Sequence, residues 1–264
     1  MRKKNSCCTG VLRLLPSFIL LASLLVLPKA QGAVGDTFTL DTLKYTVLTE
    51  EPASQTGTVS VASATPTHTG GHNEIPALVA NGGIDYSVTS IDEFAFYNCS
   101  NLTGIVIPDS VTSIGGWAFE GCSNLTNIVI PDNITSIGRS AFSGCSNLTN
   151  IVIPNNVNSI GAVAFRDCSA LASIVIPDSV TFMGAGAFSG CSALASIVIP
   201  DSVTSIGYWA FYKCDKLTDV YFKGNAPKLP NGNAFFEPSV IYYKPGTTGW
   251  RNPWDRRPTK EWVE

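Results

Sequence analysis

From Leu102 to Lys216 the apolar positions recur with a period of 23 residues. The coils read LTGIVIPDSVTSIGGWAFEGCSN, LTNIVIPDNITSIGRSAFSGCSN, LTNIVIPNNVNSIGAVAFRDCSA, LASIVIPDSVTFMGAGAFSGCSA and LASIVIPDSVTSIGYWAFYKCDK. In the second, Leu125, Ile128 and Ile130 predict a short strand whose alternate side chains point inward. Pro131, Asp132 and Asn133 turn the chain, and a second apolar pair, Ile134 and Ile137, precedes Gly138. Ala141, Phe142 and Cys145 follow at spacings that suit about one turn of helix, and Leu148 restarts the pattern. One coil cannot bury enough apolar surface to offset the entropy of ordering 23 residues. The coils are therefore expected to stack, sharing a continuous core and pairing their strands edge to edge.

The strand spacing is that of a leucine-rich-repeat solenoid. The expected architecture has parallel β-strands on one face and turns with short helical segments on the other, closed by β-rich caps at both ends. Upstream, Ile75-Pro76 and Val88 to Cys99 repeat half of the pattern around an insertion of nine residues near Asn81 to Tyr86. Downstream, Leu217 to Phe222 opens a coil that then diverges. The expected organisation is a leader over residues 1–32, an N-terminal β cap over 33–74, the solenoid over 75–243 and a C-terminal aromatic cap over 244–264. Phe38 to Val47 and Thr58 to Ala62 supply the front strands. Val240 to Tyr243 with Trp250, Trp254 and Trp262 supply the rear lid. The phrase IPDSVTSIGxxAFxxCSxL, with its Ala-Phe pairs and cysteines in register, resembles the BspA-type leucine-rich repeat family over roughly residues 75 to 243. That resemblance implies a bacterial or protozoan secreted or cell-surface protein, some relatives of which attach to host matrix proteins. YYKPGTTGW similarly resembles the closing segment of some secreted bacterial members.

At the front, Arg2, Lys3 and Lys4 precede an apolar run from Leu14 to Leu27 and the small-residue stretch Lys29 to Ala33, the pattern of a secretory signal peptide. The run is too short for a spanning helix of about 20 residues. Cys7 and Cys8 lie before it, whereas a lipoprotein places its cysteine after. The leader carries five bases and no acids, so the remainder holds twelve Lys and Arg against twenty Asp and Glu. Nine of those bases fall between Lys213 and Lys260. An acidic body of this kind argues against a nucleic-acid partner.

Cys99, Cys122, Cys145, Cys168, Cys191 and Cys214 recur where the repeat needs a small apolar group. Buried free thiols are the preferred reading. A disulfide framework stays open, because stacked coils bring like positions within bridging distance. Zinc is disfavoured, since the repeats contain no histidine and no Cys-x-x-Cys pair. His68 and His72 sit in a Gly- and Thr-rich stretch unsuited to a helix, which reads as a solvated loop and supplies no general base. Asp109, Asp132, Asp178 and Asp201, interrupted by Asn155, form a column that could attract cations, but Asp and Asn here suit turns. Five Asn-x-Ser/Thr sequons follow from the repeat itself. No catalytic residue, metal site or cofactor is expected, and the chain does not read as an enzyme.

The remaining candidate is surface. Val106, Val129, Val152, Val175, Val198 and Tyr221 are expected to face outward between the inward strand residues, flanked by polar positions that include Asn127 and Asn150. Valine also suits a parallel strand for its own sake. On the other side, Trp117, Tyr208, Trp209 and Tyr212 are an alternative set of contact residues. The expected function is non-catalytic binding or adhesion to an extracellular protein or glycan. The alternative is a structural protein that associates with itself.

Overall fold

The computed structural model describes residues 33–51, 53–64, 74–230, 232–235 and 239–262. The expected leader, with Cys7 and Cys8, and the His68 and His72 stretch lie outside the described residues. At the front, alternation buries Leu43, Tyr45 and Val47 and leaves Lys44 in solvent, so the segment forms a strand with one wet face. Strands β1 (Thr37–Leu40), β2 (Leu43–Glu51) and β3 (Thr56–Ala64) run antiparallel. Strands β4 (Leu78–Asn81) and β5 (Ile84–Ile91) form a hairpin, and β5 pairs parallel to β3. Gly82 and Gly83 make its two-residue turn at φ 65° and 90°, values that a side chain would disfavour at both positions. The insertion seen in the sequence is this hairpin.

The following coils build two parallel ladders. The first contains β6 (Gly104–Val106), β8 (Asn127–Val129), β10 (Asn150–Val152), β13 (Ser196–Ile199), β15 (Asp219–Phe222), β16 (Val240–Tyr243) and β17 (Thr259–Glu261). The second contains β7 (Ser113–Ile114), β9 (Ser136–Ile137), β11 (Ser159–Ile160), β12 (Phe182–Met183) and β14 (Ser205–Ile206). Like positions pair across each ladder, Ile105 with Ile128 and Ile128 with Ile151. β7 pairs with β5, which joins the first coil to the N-terminal sheet. The first ladder is interrupted at residues 171–177, which form no strand, so β6-β8-β10 and β13-β15-β16-β17 are separate sheets.

The third side corrects the expected helical segments, because the described residues contain no helix. Trp117, Ser140, Val163 and Trp209 all hold left-handed φ between 51° and 58°, and Gly186, in the same repeat position, 63°. A left-handed residue at every coil breaks the i to i−4 pattern of a helix. Alternate amides then turn sideways: Trp117 N–H donates to the Arg139 carbonyl, Phe119 to Ala141 and Gly121 to Ser143. The amides between close tight turns, as where Glu120 N–H donates to the Trp117 carbonyl and Cys122 to Phe119. This side is a ladder of turns whose bonds run between coils, which satisfies the backbone as fully as a helix would.

The core is one column of apolar layers. Phe96, Phe119, Phe142, Phe165, Phe188, Phe211 and Phe235 stack with centroid separations of 4.9 to 5.5 Å and nearly parallel planes. Close approach of coils also explains the glycine that recurs at this position of the repeat. A Cβ on Gly184 would lie 2.4 Å from the Ala162 amide nitrogen, and one on Gly207 2.3 Å from that of Ala185. At the rear, Phe222 contacts Trp250 and Trp254, and Trp254 is buried.

Candidate functional site

The first ladder fixes which strand residues reach solvent. In β8 and β10, Ile128 and Ile151 point into the core, so the pleat turns Val129 and Val152 outward. Exposure of the stripe is 64% at Val129, 75% at Val152 and 80% at Val175, against 0% at the core phenylalanine Phe165. Val106 and Val198 at either end of the run are less open but still exposed. Asn127 and Asn150 are exposed beside the valines and pair in register. Asn127 Nδ2 lies 3.4 Å from its neighbour Thr126 Oγ1 and donates to it, so both groups stay at the surface.

The stripe continues beyond the valines. Val198 pairs with Tyr221, Tyr221 with Tyr242 and Tyr242 with Lys260, while Glu74 bridges to Val106 at the opposite end. Tyr221 stacks on Tyr242 at 4.8 Å, and Trp262 leans against Tyr221. Asp219 in the flanking column accepts a hydrogen bond from Thr218 Oγ1, and desolvation, followed by the Asp219 charge, raises the Tyr242 phenol pKa. Tyr242, Glu74 and Lys260 were not legible as members of this stripe, because the 23-residue period fails on both sides of the five regular coils and only strand register aligns them.

The turn side separates the alternative aromatic residues into two groups. Trp117 stacks on Phe94 at 5.1 Å, with the Arg139 guanidinium 5.4 Å from its ring centroid. Four coils away, Trp209 lies between Tyr208 at 4.3 Å and Tyr212 at 5.2 Å, and Lys213 Nζ sits over Tyr212. The second group borders a cleft of about 300 Å³ floored by Ala185 and Gly186 and closed opposite by Val163, Arg166 and Asp167. Within both groups ring faces are largely spent on one another. Phe94, exposed beside Trp117, was missed; the signal was available, since it stands 23 residues before Trp117 in the same repeat position.

The six repeat cysteines are free and buried. Each thiol from Cys122 onward donates to the carbonyl of the phenylalanine one coil earlier, Cys122 to Phe96 at 3.0 Å and Cys168 to Phe142 at 3.2 Å. Burial pushes the Cys145 and Cys214 thiols up to about 12, opposed only in part by hydrogen bonding to the backbone of Cys122 and Cys191. They are therefore poor nucleophiles and poor metal ligands. At the turns of the Asp column, Asn133 Nδ2 donates to the Asp109 backbone carbonyl and Asn156 Nδ2 to that of Asp132, tying successive coils together. Among the described residues no three His, Cys, Asp or Glu side chains converge as a metal would require. No described helix is long and apolar enough to cross a membrane.

Parallel coils in register around a stacked core define a leucine-rich-repeat solenoid. Residues 81–194 and 158–241 match the BspA type leucine rich repeat region, in six copies, and the chain belongs to that family. A leucine-rich repeat protein from Bacteroides ovatus ATCC 8483 is 31% identical, with a TM-score of 0.57 over 80% of this chain and 62% of its own. This chain thus spans less than two thirds of that protein's length. A leucine rich cell surface protein from Faecalibacterium prausnitzii A2-165 is 28% identical, with a TM-score of 0.54 over 79% of this chain and 70% of its own. The T. pallidum leucine rich repeat protein is 26% identical, with a TM-score of 0.58 over 79% of this chain and 86% of its own. No curated protein matches.

Proposed function

We propose that this protein is a secreted or cell-surface contact module that binds an extracellular protein or glycan through its strand face and catalyses nothing. The observation that carries this reading is the exposed stripe of Val129, Val152 and Val175 on a sheet whose alternate residues are buried. A contiguous apolar strip rimmed by Asn and Ser offers contact area with little polar desolvation, and such patches mark partner sites. The export pattern of residues 1–32 supports an extracellular setting, as does the cell-surface description of the Faecalibacterium relative. The N-terminal segment 33–74 and the aromatic tail 244–264 act as covers for the open ends of the core, with the repeats of 75–243 between them.

In a screen of extracellular proteins and glycans, the Val152→Lys variant is expected to lose at least tenfold in affinity while its melting temperature stays within a few degrees. An outward strand position tolerates a polar side chain. Arg166→Glu, on the turn side in a surface pair with Asp167, is expected to leave binding unchanged. Binding that survives in folded Val152→Lys would move the site to Trp117, Tyr208, Trp209 and Tyr212. Unfolding of Val152→Lys would mean that the stripe is interior.

A further inference from the structure

We propose that the strand face also pairs with a second copy of the chain, in a symmetric dimer whose twofold axis passes over Val175 and runs along the strands. This rests on the reading of the strand face as a contact surface and names one occupant for it. Strand pairing orders a single outward column: Glu74, Val106, Val129, Val152, then Val175 by its place in the repeat, Val198, Tyr221, Tyr242 and Lys260. Val175 is the middle member and the most exposed large apolar residue of the described chain. The two ends carry opposite charge, and both Glu74 and Lys260 are exposed.

A half-turn about an axis along the central strand segment keeps strand direction and reverses coil order. Each column then opposes itself end to end. Val175 meets its own copy, Val152 meets Val198, and the larger Tyr221 and Tyr242 meet Val129 and Val106. Glu74 meets Lys260 twice, once at each end, as an isologous interface requires. The flanking column follows the same rule. Ser173 meets itself, Asn150 meets Ser196, and the Asn127 amide meets the Asp219 carboxylate, a donor against an acceptor. The reverse arrangement, with coil order kept and strand direction inverted, would set Val against Asn and Glu74 against Glu74. At parallel strand spacing the stripe is roughly 38 Å long and two residues wide. Such a face is smaller than the ~800 Å² per partner of a standard stable interface, so the dimer is reversible and concentration-dependent.

Three measurements on the purified protein test this together. Sedimentation should show a reversible monomer–dimer equilibrium that Val175→Lys abolishes. Val175→Cys should form a disulfide-linked dimer under mild oxidant, whereas Val129→Cys should do so only when mixed with Tyr221→Cys. In the unmodified protein, a zero-length carbodiimide reagent should join Glu74 to Lys260. These residues lie roughly 38 Å apart in one chain, so the link can form only between copies. The Glu74→Lys variant should weaken the dimer several-fold, and adding Lys260→Glu should restore it. A protein that stays monomeric, or a Val129→Cys variant that links to itself as readily as Val175→Cys, would overturn the proposal. A Glu74 to Lys260 link without a Val175→Cys dimer would mean end-to-end stacking and overturn it too. A monomer whose partner binding still falls with Val152→Lys would remove the dimer and leave the contact-face reading standing.

Discussion

Raising the pH from 8 to 10 should destabilise the folded protein by several kcal/mol, far more than a chain without buried thiols would lose. Burial holds Cys145 and Cys214 at about 12 and lifts Cys122, Cys168 and Cys191 in the same direction, from an ordinary value of 9.0. In the folded state these thiols keep their protons through pH 10, and in the unfolded state most have been released. The unfolded chain then binds fewer protons, so stability falls as pH rises through the window from about 9 to about 12. Cys145 and Cys214 each contribute on the order of 1 kcal/mol at pH 10, and Cys122, Cys168 and Cys191 add to the loss in the same direction. Tyr45 and Tyr86, both raised to about 12 mainly by burial, extend the decline above pH 10. Urea titrations at pH 7, 9 and 10 measure the slope, and Cys168→Ala should flatten it. A stability that is flat to pH 10 would place the cysteines in water or in disulfides.

Replacing Phe165 with alanine is expected to cost about 3 to 5 kcal/mol. Its ring stacks on Phe142 at 5.5 Å and on Phe188 at 5.3 Å, and the side chain is wholly buried. Truncation removes its own transfer energy and opens a cavity that neighbours held by interstrand bonds cannot collapse to fill. Phe235→Ala should cost less, because that ring ends the column, with Phe211 on one side and the aromatic tail on the other. Denaturant midpoints of the two variants compare them directly. Equal losses would mean that the phenylalanines do not form one continuous core.

The parts legible in the sequence are those fixed by local periodicity. Ile128 and Ile130 against Val129 gave inside and outside at once, since a strand has no third choice. Phe142 and Cys145 were legible as core because every coil spends the same position on them. The Ala-Phe segment misled, because its spacing fits a helical turn while its backbone bonds go sideways to the next coil. The left-handed φ at Ser140 and Val163 leaves no mark in the side-chain pattern, as neither residue is a glycine. The second ladder of Ser136–Ile137 and its equivalents was also hidden, for two residues are too few to show alternation. Across 171–177 the LASIVIPD phrase is identical to that of the following coil, yet only the latter pairs as a strand. Pairing therefore depends on neighbouring coils and not on the local phrase. At the C-terminus Trp250 and Trp254 stood out by their aromatic chemistry, whereas the contact of Trp262 with Tyr221 depends on β17 and could not be read from spacing.

Contact through the strand face requires Val129, Val152 and Val175 to face water, and native-state alkylation of Val152→Cys reads that orientation directly. The folded variant should take up one equivalent of iodoacetamide at pH 8, mapped by mass spectrometry to position 152, while Cys99, Cys122, Cys145, Cys168, Cys191 and Cys214 remain unmodified until denaturant is added without reductant. Protection of position 152, or labelling of the repeat cysteines in the folded protein, would invert the strand register and remove the valine stripe from the surface.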